Sequence, residues 1–182
     1  YYKELTSKEN VRIPDHEWDL RNLSGNVLLD SGSSQQKVKG YINGSLHSDE
    51  IGMTFDGDSN YIQLDPITFT DNQPVSFEFY ARWDAFNRYS RIFDFGQGQS
   101  DKNIIILNHE SSSTLYLSFR KEGNDEVELF HNGNIPEESF IHVVVTMSNT
   151  DYVIYVNGLK TNKLTQTDNL PKYTLHKNYI GK

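Results

Sequence analysis

Between Ser139 and Gly158 the chain reads SFIHVVVTMSNTDYVIYVNG, where Ile141, Val143, Val145 and Met147 share one parity and His142 and Thr146 take the other. After Ser148-Asn149-Thr150-Asp151, Tyr152, Ile154 and Val156 resume the period. A period of two belongs to strands, and the four small polar residues carry turn chemistry, so the stretch predicts a β-hairpin. Asn157-Gly158 predicts a second tight turn, because both residues tolerate positive φ. In PVSFEFYARW the same alternation puts Val75, Phe77, Phe79, Ala81 and Trp83 on one face, with Ser76, Glu78, Tyr80 and Arg82 on the other.

Shorter pieces repeat this theme. EIGMTF and NYIQL flank a turn at Asp56-Gly57-Asp58, RIFDFG and NIIIL flank GQGQSD, and TLYLSF and EVELFH flank RKEGND. No stretch long enough for a helix holds a period near 3.6 residues, and turn signals recur roughly every 8–12 residues. The pattern therefore predicts an all-β protein, a two-sheet antiparallel sandwich with very little helix. Its core is expected to bury Phe77, Phe79, Trp83, Ile92, Phe93, Leu115, Leu117, Val143, Val145, Tyr152, Ile154 and Val156, with Ile92 and Phe93 facing opposite sides of their strand. FIHVVVTM is more apolar than a half-exposed strand requires, and Val144 on its outward parity predicts a middle strand covered on both faces. The first 25 or so residues look irregular apart from Val27–Leu29, and DSGSSQQ reads as a loop. Residues 1–13 form a lead segment and 14–182 a single domain.

Composition narrows the function. A chain of 182 residues can bury a core without metal or disulfide staples, and it has no Cys for a disulfide framework. The formal charge of -8, with no basic run, excludes the electrostatic footprint of nucleic-acid binding. No apolar stretch approaches the roughly 20 residues of a membrane helix, so membrane insertion is not expected. Residue 1 is Tyr and the opening YYKELTSKEN is polar, so the segment is expected to come from a longer chain.

The order of these pieces resembles the laminin G-like branch of the concanavalin A-like jelly-roll superfamily. GMTFDGDSNYIQL is similar to its early strand–turn–strand segment, PVSFEFYARW with SRIFDFG to its central pair, SFIHVVVTMSNTDYVIYVNG to its hairpin, and YIGK to the strand after it. PDHEWDLR resembles the lead of such domains in large modular microbial and viral proteins, and Phe140 stands where the family usually has Trp. The resemblance implies two curved sheets and a glycan or protein ligand, held in some members through calcium, in an extracellular, cell-surface or virion setting. It also implies a further strand after YIGK, so that 14–182 lacks its last strand. That strand would come from the chain's continuation, from a neighbouring subunit, or from EWDLRN folding back.

The candidate chemistry is sparse. The hydrolase branch of this superfamily places its acids on one strand as Glu-x-Asp-x-(x)-Glu, but here Glu126 and Glu128 flank Val127, and Asp15, Glu17 and Asp19 carry the acids in the wrong order. Motifs for serine, cysteine or zinc hydrolysis and for phosphate loops are absent. No cofactor is required; calcium is the one candidate, because it takes oxygen ligands from loops. Asp56 and Asp58 bracket Gly57, and Asp94 and Asp101 flank FGQGQS, with Asp56 and Asp101 the foremost candidates. Ordinary aspartate turn chemistry accounts for the same residues. Glycan recognition needs exposed rings beside polar side chains, and RWDAFNRYSR offers Asp84, Phe86, Asn87, Arg88 and Tyr89. The sequons at Asn22 and Asn43 are of the kind chance supplies in a chain rich in Asn, Ser and Thr. The expected function is a non-catalytic recognition or adhesion module within a larger protein. A structural building block of a large assembly is the alternative, and a polysaccharide hydrolase a distant third.

Overall fold

The computed structural model describes residues 13–98, 101–122, 125–165 and 172–182; nearly all of the lead segment, Gln99-Ser100 and Gly123-Asn124 lie outside these. Among the described residues seventeen strands form and no helix, and so none that could cross a membrane. In chain order they begin β1 (Trp18–Ser24), β2 (Val27–Asp30), β3 (Gly40–Asn43), β4 (His47–Ser48), β5 (Met53–Thr54) and β6 (Tyr61–Leu64). β7 (Ile67–Phe69), β8 (Val75–Ala81), β9 (Arg91–Gly96), β10 (Ile104–Asn108), β11 (Leu115–Arg120) and β12 (Glu126–Phe130) follow. The last five are β13 (Ile141–Met147), β14 (Asp151–Val156), β15 (Leu159–Thr165), β16 (Tyr173–Leu175) and β17 (Lys177–Ile180).

A large antiparallel sheet runs β1-β2-β3-β6-β17-β9-β10-β11-β12, a smaller one runs β15-β14-β13-β8, and the pairs β16-β7 and β4-β5 stand apart. The predicted hairpin is β13–β14, with Val145 opposite Ile154 and Asn157 and Gly158 both at positive φ in the turn to β15. The core lies between the sheets. Phe93, Phe95, Leu117 and Phe119 of the large sheet meet Val143, Val145, Tyr152 and Ile154 of the small one, all buried. Rings join across the gap, with Phe77 at 4.9 Å from Phe93 and Phe119 at 5.9 Å from Tyr152. Fully burying such a side chain contributes about 1.5–3 kcal/mol, so this interleaved layer is the main source of stability.

Several expectations need correction. Phe77, Phe79 and Ile92 are only half-buried, although all three pack against the core. For the two phenylalanines the reason is position, because β8 is the edge of its sheet. β13 is a middle strand, but its outward residues His142, Val144 and Thr146 remain half-exposed, so among the described residues no second layer covers it. Tyr179 and Ile180 lie on β17, which runs between β6 and β9 and pairs with both. There the buried Asn178 donates through Nδ2 to the carbonyls of Leu175 and Asp65, at 2.8 and 3.1 Å.

The stretch before Val27, read as irregular, contains β1, which pairs with β2 at the far edge of the large sheet. Its partly buried Trp18, Leu20 and Leu23 do not keep one parity, because the register shifts between Trp18 and Leu23 and breaks the period. Asp30, whose side chain is fully buried, anchors this arm. It takes hydrogen bonds from the N–H groups of Glu17, Gly32 and Val38 and meets Nδ1 of His16 at 2.7 Å. Burial alone would raise the Asp30 carboxyl, but these partners outweigh it and hold the group below the usual range. The Trp18 indole donates to the Val38 carbonyl at 2.7 Å.

Candidate functional site

The end of β8 and its loop to β9 carry the candidate ligand-binding residues. Asp84 pairs with Arg82, with Nε 2.7 Å from Oδ1 and Nη2 3.2 Å from Oδ2. Phe86 is not displayed: it packs inward on Trp83, at 6.3 Å between ring centroids, and belongs to the core margin. Asn87 is exposed, and its carbonyl accepts from Nδ2 of the fully buried Asn108 at 3.0 Å. The same Asn108 nitrogen lies 2.6 Å from the Glu110 carbonyl, so one amide stitches this loop to the β10–β11 turn. Tyr89 sits at φ 56° with its N–H bound to Glu110, its ring against His109, and the Arg88 guanidinium 5.4 Å from its centroid. Asn108 offered no sequence signal, since an Asn at a strand end reads as a turn residue.

The four candidate calcium residues take different local partners. Asp56 closes its own turn: its carboxylate accepts from the N–H groups of Asp58, Ser59 and Asn60 and from the Ser59 hydroxyl at 2.6 Å. That hydroxyl and the three N–H groups hold the Asp56 carboxyl far below its ordinary range. Gly57 at φ 72° permits the tight turn, and a side chain there would come within 3.5 Å of the Asn87 amide, so the turn abuts the β8–β9 loop. Asp58 is exposed. Asp94 lies on the outward face of the large sheet, where it takes a 2.7 Å hydrogen bond from Asn103 and faces Arg91. Burial pushes its pKa up despite these partners. Asp101 forms an antiparallel bridge with Gly98, between the end of β9 and the start of β10. Among the described residues no three His, Asp or Glu side chains gather as metal ligands.

Both acid runs hold carboxylates engaged by protein partners. Glu126 accepts from the Ser118 hydroxyl at 2.6 Å and pairs with Arg120 at 2.9 Å. Burial would raise it, but the hydroxyl and guanidinium win and keep the carboxyl below its usual range, the opposite of what a general acid needs. In the other run, Glu17 accepts from the Ser31 hydroxyl and Asp19 is held by Arg21.

A further group emerges from the β8–β13 register. Outward-facing pairs follow one another along the two strands: Glu78 opposite Val144, then Tyr80 opposite His142. The same register leads on to Arg82 and Phe140, where the guanidinium lies 5.5 Å from the ring centroid. Tyr80 and His142 stack at 4.6 Å and 25°, and His142 Nε2 is 2.8 Å from Glu78 Oε1. The backbone N–H of His142 donates to the Asn157 side chain at 2.9 Å, which fixes the strand beneath the ring. Tyr80 is 69% exposed and Phe140 48%. Beyond this ladder an open depression is lined by Arg82, Asp84 and Glu138. The signal was present in the outward parity of Glu78, Tyr80 and Arg82, but alternation alone does not say whether an outward face stays uncovered.

Comparison with known proteins fits this architecture. A laminin G-type family model, described as the concanavalin A-like lectin/glucanases superfamily, matches residues 56–182. No curated protein matches the sequence. Among solved structures, the binding domain of botulinum neurotoxin DC in complex with SialylT aligns with TM-score 0.66 at 14% identity, over 95% of this chain and 44% of that one. The serotype D ligand binding domain in complex with N-acetylneuraminic acid gives 0.65 at 15%, over 93% and 43%. The DC domain in complex with rat synaptotagmin II gives 0.61 at 14%, over 92% and 46%. This chain thus spans less than half the length of those domains, and the likeness is one of fold.

Proposed function

Since this chain belongs to the concanavalin A-like lectin/glucanase superfamily, we propose that it is a non-catalytic recognition module that binds a glycan or a protein surface within a larger modular protein, outside the cell or on a cell or virion surface. The observation that carries this reading is the outward β8–β13 ladder, where rings stand exposed beside charged side chains. Support also comes from the acids: Glu126 is tied to Ser118 and Arg120 and serves its own sheet. Glycan and protein complexes of structures with this fold point the same way. The reading needs no cofactor, and calcium enters as an accessory through Asp56, Asp58, Asp94 or Asp101.

A glycan array probed with the purified chain, with and without calcium, tests it together with an assay for release of reducing ends from β-glucans. Retention of a defined glycan without turnover is the expected result; turnover abolished in Glu126→Gln or Glu128→Gln would overturn it. A structural building block is favoured by one observation, the exposed Leu29 and Tyr41 on the outward side of adjacent strands β2 and β3. That role requires an apolar contact of roughly 800 Å² per partner and hence self-association, read directly as mass in solution.

A further inference from the structure

We infer that the Tyr80–His142 and Arg82–Phe140 ladder, with the depression at Asp84 and Glu138, is a binding platform for a neutral pyranose, and that it disfavours acidic sugars; this rests on the recognition reading above. Tyr80 has one ring face against the His142 imidazole. Its strand is the edge of the small sheet, so among the described residues no strand lies beside the other face, in keeping with 69% exposure. An exposed ring face of this kind packs against the C–H face of a pyranose, and burying it there supplies apolar contact that a mobile side chain could not. The Tyr80 ring is held in place: the imidazole beneath it is fixed by Glu78 at 2.8 Å. Phe140 extends the apolar surface by one register step, with Arg82 lying over it.

Charge selects the class of sugar. Around the ladder stand the carboxylates of Glu78, Asp84 and Glu138, and Asp49 is near enough to feel Arg82. The Arg82 guanidinium is already engaged by Asp84 through two contacts, at 2.7 and 3.2 Å, so it offers little to an incoming carboxylate. Carboxylates accept hydrogen bonds from the paired hydroxyls of a neutral sugar, but they repel a sialic or uronic acid. The net charge of -8 adds to that repulsion at long range.

The test is titration of the purified chain with lactose, maltotetraose, cellotetraose, N-acetylchitotetraose and sialyllactose, followed by calorimetry and by amide chemical shifts. At least one neutral sugar should bind, perturb amides in 78–84 and 138–144, and lose roughly tenfold or more in affinity in Tyr80→Ala, with the melting temperature unchanged. Phe140→Ala should weaken the same sugar. A neutral sugar bound equally well by the Tyr80→Ala/Phe140→Ala double variant would remove the platform and leave the recognition module intact. Binding of sialyllactose alone would overturn the charge argument while sparing that module. Failure of all five to bind would overturn this inference, while the glycan array decides the recognition reading separately.

Discussion

The edge strands β8 and β12 have similar alternating sequences and opposite surfaces. On β12, Phe130 stacks on Tyr116 at 4.9 Å and 15°, and the His109 ring sits edge-on to both. Tyr116 is only 7% exposed, and Asn162 of β15 donates to the Phe130 carbonyl at 2.7 Å, which ties this edge to the other sheet. On β8 the Tyr80–His142 stack has similar spacing, yet Tyr80 stays in solvent. The carboxylates follow suit: Glu126 serves its own sheet, whereas Glu78 fixes a ring on an open face. A stacked aromatic pair is thus a fold element or a display element according to what lies over it.

Substitutions separate the two. Tyr116→Ala should cost about 3–5 kcal/mol, because a buried ring leaves a cavity that the pinned edge cannot collapse. Tyr80→Ala should stay within about 0.5 kcal/mol, since its ring is exposed. Urea denaturation of both variants checks this, and equal losses would end the contrast. Glu126→Gln should lose about 1–2 kcal/mol at neutral pH, for one charge-assisted partnership. Its depressed carboxyl contributes stability that is complete above the unfolded value near 4.3 and lost as pH falls through the folded value. The variant and the parent should therefore converge in acid, which melting temperatures at stepped pH would reveal.

Asp94 has the opposite sign. Its raised carboxyl gives stability that is full below the unfolded value near 3.9 and declines as pH rises through the folded value. Asp94→Asn should accordingly be stabilising above that window and neutral below it, in the same pH series. The smallest effect is expected from Glu78→Gln, under about 0.5 kcal/mol for an exposed pair. Loss of the Tyr80–His142 ring contact in its NMR spectrum would show that this pair orders the display surface without holding the fold.

Local chemistry was legible where it acts within a few residues. The Ser148–Asp151 turn, the two faces of β8 and the Asp56 turn all follow from neighbours in sequence. Illegible features depended on partners far along the chain. The bulge that hides β1 is held by contacts to β2, and the anchoring role of Asp30 needs Glu17, Val38 and His16 together. In the candidate loop Phe86 turns inward, while Tyr80 and Phe140, one strand step away, carry the exposed rings. Period two assigns a side chain to a face; only the packing of the other layers decides whether that face meets water.

The position of β17 bears on how the molecule assembles in time. It occupies the centre of the large sheet, yet it follows every other strand of that sheet in the chain. The Asn178 amide that fixes it to Asp65 spans 113 residues. Joining β6 to β9 therefore waits on the longest loop closure in that sheet, and folding through such non-local pairing runs on the millisecond-to-second scale. Until β17 arrives, the strands on either side of its place each present a bare row of backbone donors and acceptors, on which a second nascent copy can template. During synthesis the most vulnerable part of this sandwich is its middle.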